Sequence, residues 1–155
     1  MTWQSLIWAG VLGVSMTGAA TGAARAQGCP VVAGDETAVA DTLRTMYVAA
    51  STDDVVKFHS VAASSFYAYD GGKVFHGDEL MELIQGSHAK GMKWVWTVTE
   101  PQVHVDCDMA WITYVNRGSV GDASGVKEMV WLESAMLRRE KGGWKIQFFH
   151  STRAV

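Results

Sequence analysis

Glu128-Met-Val-Trp-Leu-Glu-Ser-Ala-Met-Leu-Arg-Arg-Glu-Lys-Gly-Gly-Trp-Lys-Ile-Gln-Phe-Phe-His-Ser-Thr-Arg153 holds two apolar-rich arms on either side of Gly142-Gly143. Paired apolar segments around a Gly turn predict a long β-hairpin that completes a sheet. Strict alternation in the second arm puts Trp144, Ile146, Phe148 and His150 on one face and Lys145, Gln147, Phe149 and Ser151 on the other. The first set is expected to be the buried one. His150 then ends an apolar wall, either as part of a site or as a satisfied core histidine.

Working back from this hairpin, residues 110–117 and 91–105 read as further strands. In the earlier one, Met92, Trp94, Trp96 and Val98 share a face, and Pro101 requires a bulge or bend. A polar loop is expected over 118–125, and a turn at Asp106-Cys107-Asp108. Ser65-Phe-Tyr-Ala-Tyr-Asp70, Gly71-Gly72 and Lys73-Val-Phe-His76 read as a first hairpin, with Tyr67 and Tyr69 opposite Phe66, Ala68 and Asp70. Asp70 is expected to serve turn chemistry. Val39, Leu43, Met46, Tyr47 and Ala50 recur at helical spacing and predict a helix over Asp35–Ser51. Short helices follow at 54–59 and from Asp78, the latter with Leu80, Leu83, Ile84 and Ser87 on its packed face.

The segment from Arg138 to Ser151, with its basic residues, Gly turn, Trp-x-Ile and terminal His-Ser, resembles the last hairpin of SnoaL-like proteins of the nuclear transport factor 2-like superfamily. It is similar also to the association domain of calmodulin-dependent kinases. The order of the preceding elements extends the resemblance over roughly residues 35–153. It implies an α+β fold: a cone-shaped, strongly curved, mostly antiparallel sheet with about three helices from the N-terminal half on its concave face. It implies a cavity between sheet and helices, and a homodimer through the exposed sheet face. It leaves the reaction open, because this superfamily hosts isomerases, dehydratases, cyclases, epoxide hydrolases and plain assembly modules. Relatives often carry Arg-x-Thr on the penultimate strand where this chain has Leu132-Glu133-Ser134, so a neutral, apolar ligand is expected.

Residues 1–26 combine an apolar run, Leu6-Ile-Trp-Ala-Gly-Val-Leu-Gly-Val14, with Ala24-Arg25-Ala26, an Ala-x-Ala cleavage signal. The run is short and rich in Gly, Ser and Thr for a membrane anchor, so a cleaved secretory leader and a periplasmic or secreted protein are expected. Ala26-Gln27-Gly28-Cys29 resembles a lipoprotein box, with Gln27 fitting poorly, and lipidation at Cys29 is the less favoured reading. Cleavage leaves a single domain, 27–155, of about 129 residues with a formal charge near −4. That mild acidity, without a basic patch or a lysine-rich amphipathic segment, argues against nucleic acid and membrane partners and leaves a small molecule or another subunit. An oxidising compartment permits a Cys29–Cys107 bridge, and two unpaired thiols are the alternative.

There is no phosphate loop, nucleotide fingerprint, nucleophile elbow or zinc pattern, and the five histidines are scattered, so neither metal nor other cofactor is expected. The chemistry open to such a pocket is proton transfer by a buried histidine with a carboxylate or hydroxyl partner. His150 is the candidate base, with Glu133 and Tyr69 as catalytic partners, and Glu128 and Asn116 as other neighbours to be weighed. Trp94, Trp96, Tyr67, Asn116 and Phe148 are the expected ligand-binding residues. Three functions follow: a small-molecule binder with His-assisted proton transfer, a non-catalytic homodimeric module, or an isomerase or dehydratase resembling ketosteroid isomerases.

Overall fold

The computed structural model describes residue 29 and residues 32–155, so the expected leader and its cleavage point lie outside the described residues. Helix α1 (Asp35–Ser51) forms where the apolar spacing predicts it. Its stripe of Val39, Leu43, Met46 and Ala50 is buried, and Val39 and Leu43 have no exposed surface. Full burial of a side chain of that size contributes about 2 kcal/mol or more to folding. Asp35 in its first turn suits the positive end of the helix and pairs with Arg139, whose guanidinium lies 4.3 Å from the Trp144 ring centroid. Asp54 caps α2 (Val55–Val61) by accepting the Lys57 N–H at 2.9 Å.

The first hairpin is β1 (Ala62–Asp70) and β2 (Lys73–His76), joined through Gly71 and Gly72, both at positive φ. Helix α3 (Glu79–His88) follows. It buries Leu80 and Met81, and the expected face of Leu80, Leu83, Ile84 and Ser87 is turned toward an open cavity against the sheet, which leaves Leu83 half exposed. Four strands complete the chain: β3 (Lys93–Asp106), β4 (Met109–Asp122), β5 (Gly125–Glu140) and β6 (Gly143–Arg153). The sheet order is β2-β1-β6-β5-β4-β3, antiparallel throughout except where β1 pairs with β6. One face carries the core with the helices: Ala110, Ile112 and Tyr114 from β4, Ala135 and Leu137 from β5, and Trp144, Ile146 and Phe149 from β6. This is the α+β architecture expected, a curved and mostly antiparallel sheet holding three helices.

Two irregularities bend the sheet. The β3–β4 register shifts between Thr99 and Gln102, where Glu100 takes a φ of 54° before Pro101. Pro101 thus falls in the bulge that its missing N–H calls for. The second lies in β6, where Leu137 pairs with Ile146 but the next residue, Met136, pairs with Phe148. Gln147 is the extra residue. It reverses the alternation, so Phe149 and Ser151 are buried beside Trp144 and Ile146, while Phe148 and His150 turn to the outer face. The expected single wall of Trp144, Ile146, Phe148 and His150 is therefore corrected.

The polar loop expected over 118–125 is also corrected, because β4 continues to Asp122 and pairs back onto β5 from Gly125. Gly118 serves the pairing of β4 with β3 on its other side for a steric reason: a Cβ there would lie 1.8 Å from the Val95 carbonyl oxygen. At the opposite end of this hairpin, the β3–β4 turn holds Cys107 at a φ of 59° and bonds it to Cys29, with Cα atoms 4.9 Å apart. The disulfide, left open by the sequence, is formed.

Candidate functional site

Between α1, α3 and the inner face of the sheet lies a cavity of about 1110 Å³. Its aromatic wall comes from the first half of β3, from β5 and from β6, as Trp94, Trp96, Trp131 and Phe149. Trp94 and Trp96 alternate along β3 and so face the same way, their rings nearly parallel at 11° with centroids 5.8 Å apart. Tyr47 of α1 continues the stack onto Trp96, with centroids 5.5 Å apart. The indole N–H of Trp94 is buried with no hydrogen-bond partner among the described residues.

Polar groups converge at one place on this wall. Glu133 of β5 is buried, and its Oε2 accepts hydrogen bonds from the Tyr47 hydroxyl and, at 3.0 Å, from Asn116 Nδ2. Its Oε1 accepts from Ser151 Oγ at 3.0 Å. The orientation of Asn116 is fixed from behind, because its Oδ1 accepts the Thr97 backbone N–H at 2.9 Å and only the amide nitrogen is left to face Glu133. With Tyr47 donating to Glu133, the Tyr114 hydroxyl, 2.9 Å from that of Tyr47, is the donor in turn. The result is a relay from Tyr114 through Tyr47 to a carboxyl group.

Burial dominates its electrostatics. Desolvation raises the Glu133 carboxyl above its ordinary value near 4.5, against the lowering effect of the hydrogen bonds from Tyr47, Asn116 and Ser151. Desolvation also pushes the Tyr47 phenol well above its usual range, reinforced by the charges of Tyr114 and Glu133, and does the same to Tyr114, reinforced by Glu133. Asp70, at the end of β1, faces the cavity, and burial raises its carboxyl while the Gly71 backbone N–H in the turn and the nearby His150 offset part of that rise.

The three residues expected to act together all line the cavity, Glu133 from its interior and His150 and Tyr69 from its mouth. Glu133 pairs in register with Ser151, and both side chains are internal; His150 pairs with Ser134 and Tyr69 on the opposite parity. His150 reaches the mouth of the cavity, with its Nε2 3.2 Å from Thr152 Oγ1. The half-exposed Tyr69 stands beside it, with ring centroids 6.5 Å apart. Of the expected ligand residues, Trp94 and Trp96 line the cavity. Asn116 lies behind Glu133, and Tyr67 packs on Phe148 at 4.9 Å between centroids on the outer face. Tyr47, Tyr114 and Ser151 were not singled out by the sequence. Tyr47 sits at helix-core spacing and Tyr114 at strand-core spacing, so only its hydroxyl distinguishes each from an ordinary apolar position.

A six-stranded curved sheet wrapped around three helices, with an open cavity between the layers, defines the nuclear transport factor 2-like class. Within that class the chain belongs to the SnoaL-like domain family, whose profile matches residues 39–154. Solved structures agree on the fold. The chain is similar to the S. rosetta CaMKII hub, at 20% identity and a TM-score of 0.67 over 80% of this chain and 100% of the hub. A Streptomyces avermitilis protein named as a candidate dehydratase of the NTF2-like family matches at 18% identity and a TM-score of 0.68 over 78% of this chain and 96% of its own. A ketosteroid isomerase-like protein from Erwinia carotovora atroseptica matches at 14% identity and a TM-score of 0.65, covering 80% of this chain and 99% of that one. No curated protein sequence matches.

Proposed function

We propose that this is an exported protein that binds a small, mainly apolar molecule between sheet and helices and moves a proton on it through Glu133. The observation that carries the reading is a buried carboxyl group exposed to an aromatic cavity, with Tyr47, Asn116 and Ser151 holding it in one orientation. Ser151 occupies a single position on Oε1, so that oxygen keeps a lone pair for a bound molecule. A carboxyl whose pKa is raised by burial gives or takes a proton nearer neutral pH than a solvated one does. Tyr47, which also lines the cavity, spends its one hydroxyl hydrogen on Glu133 and so holds the carboxyl in place for that exchange. In this reading Glu133 takes the role the sequence assigned to His150. The family names among solved neighbours, an isomerase-like protein and a dehydratase candidate, are compatible with proton transfer, while their low identity speaks only for the fold.

Export is supported by the Cys29–Cys107 bridge, which suits an oxidising compartment, and a bridged Cys29 has no thiol left to acylate. The test is native mass spectrometry of protein purified from the periplasm, followed by binding assays with neutral and anionic polycyclic compounds. A bound compound, released or no longer converted in Glu133→Gln, is the expected result. A cavity that takes up none of these compounds rules the reading out.

A second reading is favoured by a separate observation. The outer sheet face exposes Val95, Trp111, Leu132 and Met136, each about half accessible, and Trp111 stacks on His104 at 3.9 Å between centroids. An apolar surface of this kind marks an interface, and we propose that it pairs two copies of the chain. The two readings are compatible, because the cavity opens on the opposite side of the sheet.

A further inference from the structure

The cavity has charged residues at its opening, and their signs are uneven. Among the charged groups lining it, Asp70 and Glu133 are both pushed by burial toward the uncharged form. Lys73, Lys127 and Arg153 are the cations, and all three are solvent-accessible. Among the described residues, no carboxylate lies within ion-pair distance of any of them. This is notable in a chain whose formal net charge is −3.

Their placement follows from the strands. Lys73 opens β2 directly after the Gly71-Gly72 turn and pairs in register with Asp70. Arg153 ends β6 opposite Trp131, two residues beyond the internal Ser151 and therefore on the same face. Lys127 lies on β5 on the same parity as Met129, Trp131 and Glu133, all of which line the cavity. Leu83 and Ile84 of α3 also line it, so apolar side chains accompany the cations.

We infer that the ligand is an amphiphile with an aromatic or alicyclic body and one anionic end, the body between Trp94, Trp96 and Trp131 and the anion at Lys73, Lys127 and Arg153. This rests on the cavity-binding reading above and names its ligand class. It replaces the neutral ligand expected from the missing arginine on β5, because positive charge reaches the opening from β2, the start of β5 and the end of β6 instead. The interior cannot hold the anion well, since Glu133 already occupies its donors.

The test is calorimetric titration of the full disulfide-bonded protein with 2-naphthoate and with its neutral counterpart 2-naphthylmethanol, at low and high salt. Three exposed ion pairs are expected to favour the carboxylate by about tenfold at low salt. Added salt should shrink that preference. The triple variant K73Q/K127Q/R153Q should lose the preference and keep its affinity for the alcohol, with an unchanged melting temperature confirming that it folds. Equal binding of both compounds to the parent protein, or a preference that survives in the triple variant, overturns the inference and leaves the cavity reading standing. Binding of neither compound removes both.

Discussion

At the residue scale the molecule turns on Glu133. Its carboxyl is raised above the ordinary value, so it is protonated more readily in the folded chain than in the unfolded one. The stability this confers is complete below the ordinary glutamate range and is lost as pH rises through the raised folded-state value. Urea unfolding of the parent protein between pH 4 and pH 9 should therefore show a declining component that Glu133→Gln lacks. A parallel decline in both proteins assigns the titration to another group. If the protein turns over a substrate, Glu133→Gln should lower the rate by about 100-fold or more, the range of a lost general acid or base. His150→Ala should cost much less, because its ring stands at the mouth and contacts Thr152 rather than the relay. An equal loss in both variants would restore the histidine to a central role. Tyr47→Phe removes a donor from a buried acceptor and should destabilise the fold by about 1–3 kcal/mol.

At the element scale, the strands explain why the fold was readable from the sequence and the site only partly. The apolar spacing of α1 and the Gly71-Gly72 turn are local signals, and those elements formed where the signals lie, while the last turn falls one residue earlier than expected, at Lys141-Gly142, because Gly143 already pairs with Glu140. A bulge is not local. The Gln147 insertion depends on how β6 must pair with β5, and by reversing the alternation it exchanged His150 for Ser151 on the internal face. One residue therefore separates the expected histidine wall from the hydrogen-bonded cluster around Glu133. The loop expected at 118–125 failed for a similar reason: glycines read as turn residues, but Gly118 is there to let β3 and β4 approach. Gly118→Ala puts a methyl group against the Val95 carbonyl and should cost about 2–4 kcal/mol. Gly86 in α3 has no heavy atom within 4 Å of a built Cβ, so Gly86→Ala should stabilise by about 0.5–1 kcal/mol. Denaturant midpoints of the two alanine variants should move in opposite directions.

At the scale of the whole molecule, two features act beyond any single element. The Cys29–Cys107 bridge spans 78 residues of sequence and ties the segment before α1 to the β3–β4 turn. A loop of that length predicts a loss of roughly 4 kcal/mol on reduction under the chain-entropy model. Unfolding with and without reductant measures it, and coincident curves would show that the bridge contributes nothing to the fold. The outer face predicts a dimer that Trp111→Glu dissociates, seen as a halved mass in light scattering with the circular dichroism of the fold intact. A parent protein that elutes as a monomer at high concentration removes the pairing. The parallel indoles of Trp94 and Trp96 have one more consequence. Two chromophores held this close share their excitation, giving a paired positive and negative band in the ultraviolet that depends on the angle between them. A guest of the kind proposed above, sliding against the pair, would perturb that optical signature, so its arrival could be read without a dye.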